Sequence, residues 1–87
     1  MDIEALRRKL SFRSWHRGTR EMDLLMGRFA DKTLPTLNED GLSAYARLLE
    51  ENDPDLYDFY CDRRAEADFP PELSRELLSL FQAFKAS

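Results

Sequence analysis

Thr19-Arg20-Glu21-Met22-Asp23-Leu24-Leu25-Met26-Gly27-Arg28-Phe29 is the stretch whose reading decides the fold. Met22, Leu25, Met26 and Phe29 recur at the i, i+3, i+4, i+7 spacing of one helix face. Thr19 can cap that helix, and Glu21 falls in its first turn, where the helix dipole favours a carboxylate. Towards the N-terminus, Ile3, Leu6 and Leu10 trace one face of a first helix. Gly18 separates the two, either as a left-handed C-terminal cap or as part of a tight helix–helix corner.

The same period continues towards the C-terminus, with no strong run of strand-type alternation. A connector from Lys32 to Leu37 is broken by Pro35. Asn38 reads as the N-cap of a third helix, with Leu37 and Leu42 placed as a hydrophobic staple; Thr36 with Glu39 is a rival capping box. Leu42, Tyr45, Leu48 and Leu49 form its buried stripe, and Gly41 is weak in helix propensity. In Asn52-Asp53-Pro54-Asp55, Asn52 reads as a stop, Asp53 as an N-cap and Pro54 as the first helical position. Leu56, Phe59 and Tyr60 would line a short fourth helix. Phe69-Pro70-Pro71-Glu72 restarts the chain, and Leu73, Leu77, Leu80, Phe81 and Phe84 give the apolar face of a fifth. Short connections imply near-neighbour packing, so the expected fold is all-α: one domain over residues 1–87, a small five-helix bundle.

Composition narrows what such a bundle can do. A chain of 87 residues buries only about 60% of its unfolded surface, and small domains of this kind often need a staple. With one cysteine, Cys61, and one histidine, His16, neither an intramolecular disulfide nor a Cys/His zinc site can be assembled. Cys61 is expected to pack against the bundle. Hydrophobic content of 43% and charged content of 34% fit a globular chain. Thirteen basic and seventeen acidic side chains leave a net charge of −4, which argues against a nucleic-acid binder. That charge is unevenly spread: residues 1–32 carry +3 and residues 33–87 carry −7. No apolar run approaches the roughly 20 residues needed to span a bilayer. Met1 is followed by Asp2 and Glu4 rather than a leader sequence, so the expected compartment is the cytoplasm, without membrane insertion.

Residues 12–23 concentrate what chemistry the chain offers: Phe-Arg-Ser-Trp-His-Arg-Gly-Thr-Arg-Glu-Met-Asp. Arg17 and Arg20 can each present a planar fork to carboxylates or carbonyls, and Glu21 can accept from a partner. Gly18 lets another backbone approach, since no Cβ stands in the way. Trp15 reads as a partly buried packing residue, and His16 as a surface or pocket-edge side chain without a nucleophile beside it. A solvated corner and a protein-binding site both fit these residues. A nucleic-acid reading rests on Arg7, Arg8, Lys9, Arg13, Arg17 and Arg20 with Phe12 and Trp15 for stacking, and the acidic remainder opposes it.

Arg17-Gly18-Thr19-Arg20-Glu21 resembles the RGxxE motif of the succinate dehydrogenase assembly factor 2 family, whose bacterial members are SdhE-type FAD assembly factors. Arg7-Arg8-Lys9-Leu10 with Phe12 and Arg13 resembles the basic lead-in of that family. Arg47-Leu48-Leu49-Glu50, Asp53-Pro54-Asp55-Leu56 and Tyr57-Asp58-Phe59-Tyr60 resemble its second block, and Gly41 stands where a helix former is expected. The resemblance runs from about Ile3 to Phe84. It implies a five-helix bundle that is not an enzyme and holds no cofactor, a monomer acting on FAD bound to its partner. The implied partner is the flavoprotein subunit of succinate dehydrogenase, and in some bacteria that of fumarate reductase. Arg17, Gly18 and Glu21 would form the contact surface, with His16, Arg20 and Asp23 beside them. A protein-interaction module with another partner is the alternative.

Overall fold

The computed structural model describes residues 2–84, and among these it contains five α-helices and no strand. They are α1 (Ile3–Trp15), α2 (Arg20–Thr33), α3 (Glu39–Leu48), α4 (Asp53–Tyr60) and α5 (Arg75–Ala83), with short 3-10 turns at Leu34–Thr36 and Glu66–Asp68. The all-α bundle expected from the periodicity is the fold found.

Each α-helix begins on a side-chain cap. Asp2, Thr19, Asn38, Asn52 and Ser74 accept from the backbone N–H of Glu4, Met22, Gly41, Asp55 and Leu77 respectively. Thr19 and Asn38 are the caps expected from sequence, so Thr36 with Glu39 does not start α3. At α4 the cap is Asn52 rather than Asp53, because the Asp53 carboxylate is engaged by Arg17. At α5 the helix starts after Leu73, which the apolar pattern alone had joined to it.

Phe29 of α2 is the hub of the core. Its ring packs against Tyr45, Phe81 and Phe84 at centroid separations of 6.0, 5.1 and 5.6 Å, within the range of favourable aromatic pairs. Around it Leu10, Met26, Leu42, Leu56 and Leu78 are wholly buried. Helices α1 and α2 approach closely at one point, where the Trp15 indole lies against Gly27; a Cβ at Gly27 would overlap that ring. The indole N–H also donates to Asp31 Oδ1 at 3.3 Å. Trp15 is thus the half-buried packing residue that was expected. Gly41 also has a reason in the packing: a Cβ there would meet the Leu37 side chain at 3.0 Å, so the staple residue occupies that space.

Two expectations about burial are corrected. Cys61 is exposed. It caps the C-terminus of α4 one turn beyond exposed Tyr57, and Asp62, at φ 62°, turns the chain away immediately after it. Leu80 is also exposed, because Leu77, Leu78 and Phe81 set the inward direction of α5 and Leu80 projects to its side.

Candidate functional site

The corner between α1 and α2 is four residues long, His16 to Thr19, and is built from within. Gly18 has φ +126°, a conformation L side chains rarely adopt, and this fixes the sharp turn. Asp23, in the first turn of α2, reaches back so that its Oδ1 accepts from the backbone N–H groups of both Arg17 and Gly18. Thr19 caps the helix that follows.

Arg17 turns inward. Its Nε donates to Asp53 Oδ1 at 2.9 Å, its Nη1 to the Leu49 carbonyl at 2.7 Å and its Nη2 to the Glu51 carbonyl at 2.7 Å. Nη2 also lies 2.8 Å from Asp53 Oδ1, and the side chain is only 12% exposed. One guanidinium therefore fastens the α1–α2 corner to the α3–α4 connection. Hydrogen bonds involving a charged partner contribute about 1.5–3 kcal/mol each, so the corner is held rather than loosely solvated.

The same geometry leaves Arg20 and Glu21 outside. Both are exposed, and neither has an oppositely charged partner within ion-pair distance among the described residues. Gly18 is exposed beside them, with open space where a Cβ would stand. His16 is exposed, stacked on Phe12 at 4.0 Å between centroids, with Nδ1 2.7 Å from the Phe12 carbonyl oxygen. Trp15, His16, Gly18, Thr19, Arg20, Asp23 and Leu24 line a shallow, open groove of about 530 Å³. Tyr57 of α4 lies within electrostatic reach of Glu21. The neighbouring Cys61 side chain is the first cause raising the Tyr57 hydroxyl above the ordinary tyrosine range, and the Glu21 carboxylate adds to it. Among the described residues no group of three or more His, Cys, Asp or Glu side chains could hold a metal ion. No helix among them is long and apolar enough to cross a membrane.

This corner, with two arms turned inward and two outward, lies within the part of the chain matched by a family model. That model, Sdh5, is described as flavinator of succinate dehydrogenase and matches residues 8–85. The chain belongs to the Sdh5 family. Its relatives include the mitochondrial succinate dehydrogenase assembly factor 2 of Dictyostelium discoideum, 40% identical over 81 residues, covering 93% of this chain and 55% of that protein. The FAD assembly factor SdhE of Acetobacter pasteurianus is 39% identical over 62 residues, covering 71% and 57% respectively. The same factor of Pseudomonas putida is 40% identical over 63 residues, covering 70% and 73%. The chain spans about half, or less, of the length of the mitochondrial relatives it matches.

Within the Sdh5 family reading, the six residues singled out from sequence fall into two groups. Arg17 and Asp23 are framework; His16, Gly18, Arg20 and Glu21 face solvent. Asp53 belongs with the framework, although the sequence offered it as helix-start chemistry and as part of the second block of the resemblance. Gly27 and Ser14 carried no signal. The first is read only from the crossing of α1 and α2, the second only from its buried hydrogen bonds with the Leu10 carbonyl and the Tyr45 hydroxyl.

Proposed function

We propose that this chain is an assembly factor that binds the flavoprotein subunit of succinate dehydrogenase and promotes covalent attachment of FAD to it. It acts on the partner's cofactor, needs none of its own and performs no acid–base step. The observation that carries this reading is the division of the corner. Arg17 and Asp23 are consumed in fixing the turn, so Gly18, Arg20 and Glu21 are offered to a partner on a rigid mount. Family membership and the relatives' names support succinate dehydrogenase as the partner.

A flavin is electrophilic enough to form the protein bond once ring and acceptor side chain are positioned, so positioning is the help required. A binder that prefers the attachment-competent arrangement by about 1.4 kcal/mol shifts its population tenfold. Charge-assisted contacts from Arg20 and Glu21, at about 1.5–3 kcal/mol each, supply that preference together, so that loss of either reduces it by about tenfold or more. The flavoprotein subunit of fumarate reductase presents the same chemistry and is a second client under this reading. The chain acts as a monomer in the cytoplasm, a setting the exposed, unpaired Cys61 thiol fits. Deleting the chain's gene and reading covalent flavin on the flavoprotein subunit by in-gel fluorescence tests the assignment: loss of fluorescence is expected, and undiminished fluorescence overturns it.

A further inference from the structure

Among the described residues, three large apolar side chains stand in solvent: Phe12 at 63%, Leu80 at 46% and Tyr57 at 42% exposure. Two of them flank the corner. Phe12 is one turn before His16 on α1, stacked on its ring, and His16 lines the groove with Gly18 and Arg20. The bond from His16 Nδ1 to the Phe12 carbonyl pins the imidazole, which in turn holds the phenyl ring in place. On the other side, Tyr57 lies one helical turn beyond Asp53, hence on the face of α4 that Asp53 turns towards Arg17. Glu21 lies within electrostatic reach of its hydroxyl. The Arg63 guanidinium sits over the Tyr57 ring at 5.6 Å and steadies it.

Leu80 makes the contrast. It lines a small recess with Lys32, Thr33 and Phe84, at the C-terminal end of α2, whereas the corner is at the N-terminal end. Fourteen residues of helix separate the two by about 20 Å.

An exposed aromatic ring held in one place by its neighbours is suited to an interface. It offers a large apolar area and has little rotamer freedom left to lose on binding. We propose that Phe12 and Tyr57 are the two apolar anchors of the flavoprotein contact, seated on either side of the Gly18–Glu21 corner. This rests on the function proposed above and extends its surface from the motif to α1 and α4. The occupant is a flavoprotein surface with two apolar recesses and, between them, a cationic or N–H donor group that meets Glu21. Phe12 joins the corner through the His16 ring and Tyr57 through the α4 turn that Asp53 fastens to Arg17, whereas Leu80 lies at the other end of α2.

The test is calorimetric titration of purified succinate dehydrogenase flavoprotein subunit with the intact chain and its Phe12→Ala, Tyr57→Ala, Tyr57→Phe, Leu80→Ala and Glu21→Ala variants. Phe12→Ala and Tyr57→Ala are each expected to weaken binding by about tenfold or more, as truncated anchors do. Tyr57→Phe, which keeps the ring, and Leu80→Ala stay within about twofold of the unsubstituted chain. All these side chains are exposed, so melting temperatures should be preserved. If Phe12→Ala and Tyr57→Ala bind normally while Glu21→Ala does not, the anchors are overturned and the corner stands. If Glu21→Ala binds normally while the two aromatic variants fail, the corner reading is overturned and the anchors stand. An unsubstituted chain that does not bind overturns both.

Discussion

Replacing Arg17 by alanine would leave the Leu49 and Glu51 carbonyls and the Asp53 carboxylate without their donor. The expected cost is about 2–4 kcal/mol, the range for breaking a largely buried charged pair. In a domain of this size that lowers the melting temperature by roughly 10–30 °C, which a thermal circular-dichroism melt reads directly. Arg17→Lys should recover only part of it, because one ammonium cannot present the fork to three acceptors. A second residue-scale test concerns Tyr45, which is wholly buried. Ser14 Oγ donates to the Leu10 carbonyl at 2.8 Å, so the Tyr45 hydroxyl donates to Ser14 Oγ at 2.8 Å. Burial is the main cause pushing its pKa from 10.0 up to about 12. The fold therefore favours the neutral phenol: its contribution is complete below pH 10 and is lost as pH rises towards about 12. Urea midpoints should fall above pH 10, equivalent to about 1.4 kcal/mol per pH unit. Tyr45→Phe should flatten most of that slope.

At the scale of elements, connections matter more than helix propensities. Arg7 donates to the Leu34 and Leu37 carbonyls, Arg64 to that of Asp68, and Arg75 to those of Glu66, Phe69 and Pro70. With Arg17, an arginine ties down every connection between the five helices. None of this was legible in the sequence, where these side chains look like ordinary surface charge; what they bond is decided only when distant loops meet. Helix spacing was legible because the 3.6-residue period is local: Met22, Leu25, Met26 and Phe29 announce α2 without knowledge of what covers them. The corner was legible as a cluster of residue types, but not which arm points inward, since that depends on Asp53, 36 residues away. Gly27 marks the same boundary. Glycine within a helix normally costs about 1 kcal/mol relative to alanine, so Gly27→Ala should stabilise on propensity alone. Here the added methyl meets the Trp15 ring, and a net destabilisation of about 1–3 kcal/mol is expected instead. Chemical denaturation checks the sign, and adding Trp15→Leu to Gly27→Ala should restore part of the loss.

For the whole molecule, these arginine ties hold the connections of a small domain that has neither a disulfide nor a Cys/His zinc site available to it. The uneven charge is partly used: Arg17 with Asp53 joins the basic segment to the acidic one. Among the acids of residues 33–87, Asp53 pairs with Arg17, Glu51 and Glu72 with Arg47, Asp58 with Arg63, and Asp55 with Arg64. Glu39, Asp40 and Glu76 sit in first turns, where the helix dipole favours them. Much of the acid is used by the fold, whereas Arg8, Lys9, Arg13 and Arg20 remain exposed. Function on this account is a surface property: a rigid frame presents Gly18, Arg20 and Glu21, and the flavoprotein does the chemistry. The most direct test is covalent flavin on the succinate dehydrogenase flavoprotein subunit, read by in-gel fluorescence in cells lacking this chain and complemented with it. The intact chain should restore fluorescence, whereas Glu21→Ala, which leaves every framework bond in place, should restore at most about a tenth, the effect of losing roughly 1.4 kcal/mol of preference. Full restoration by Glu21→Ala at normal expression would contradict the claim that this corner is the working surface.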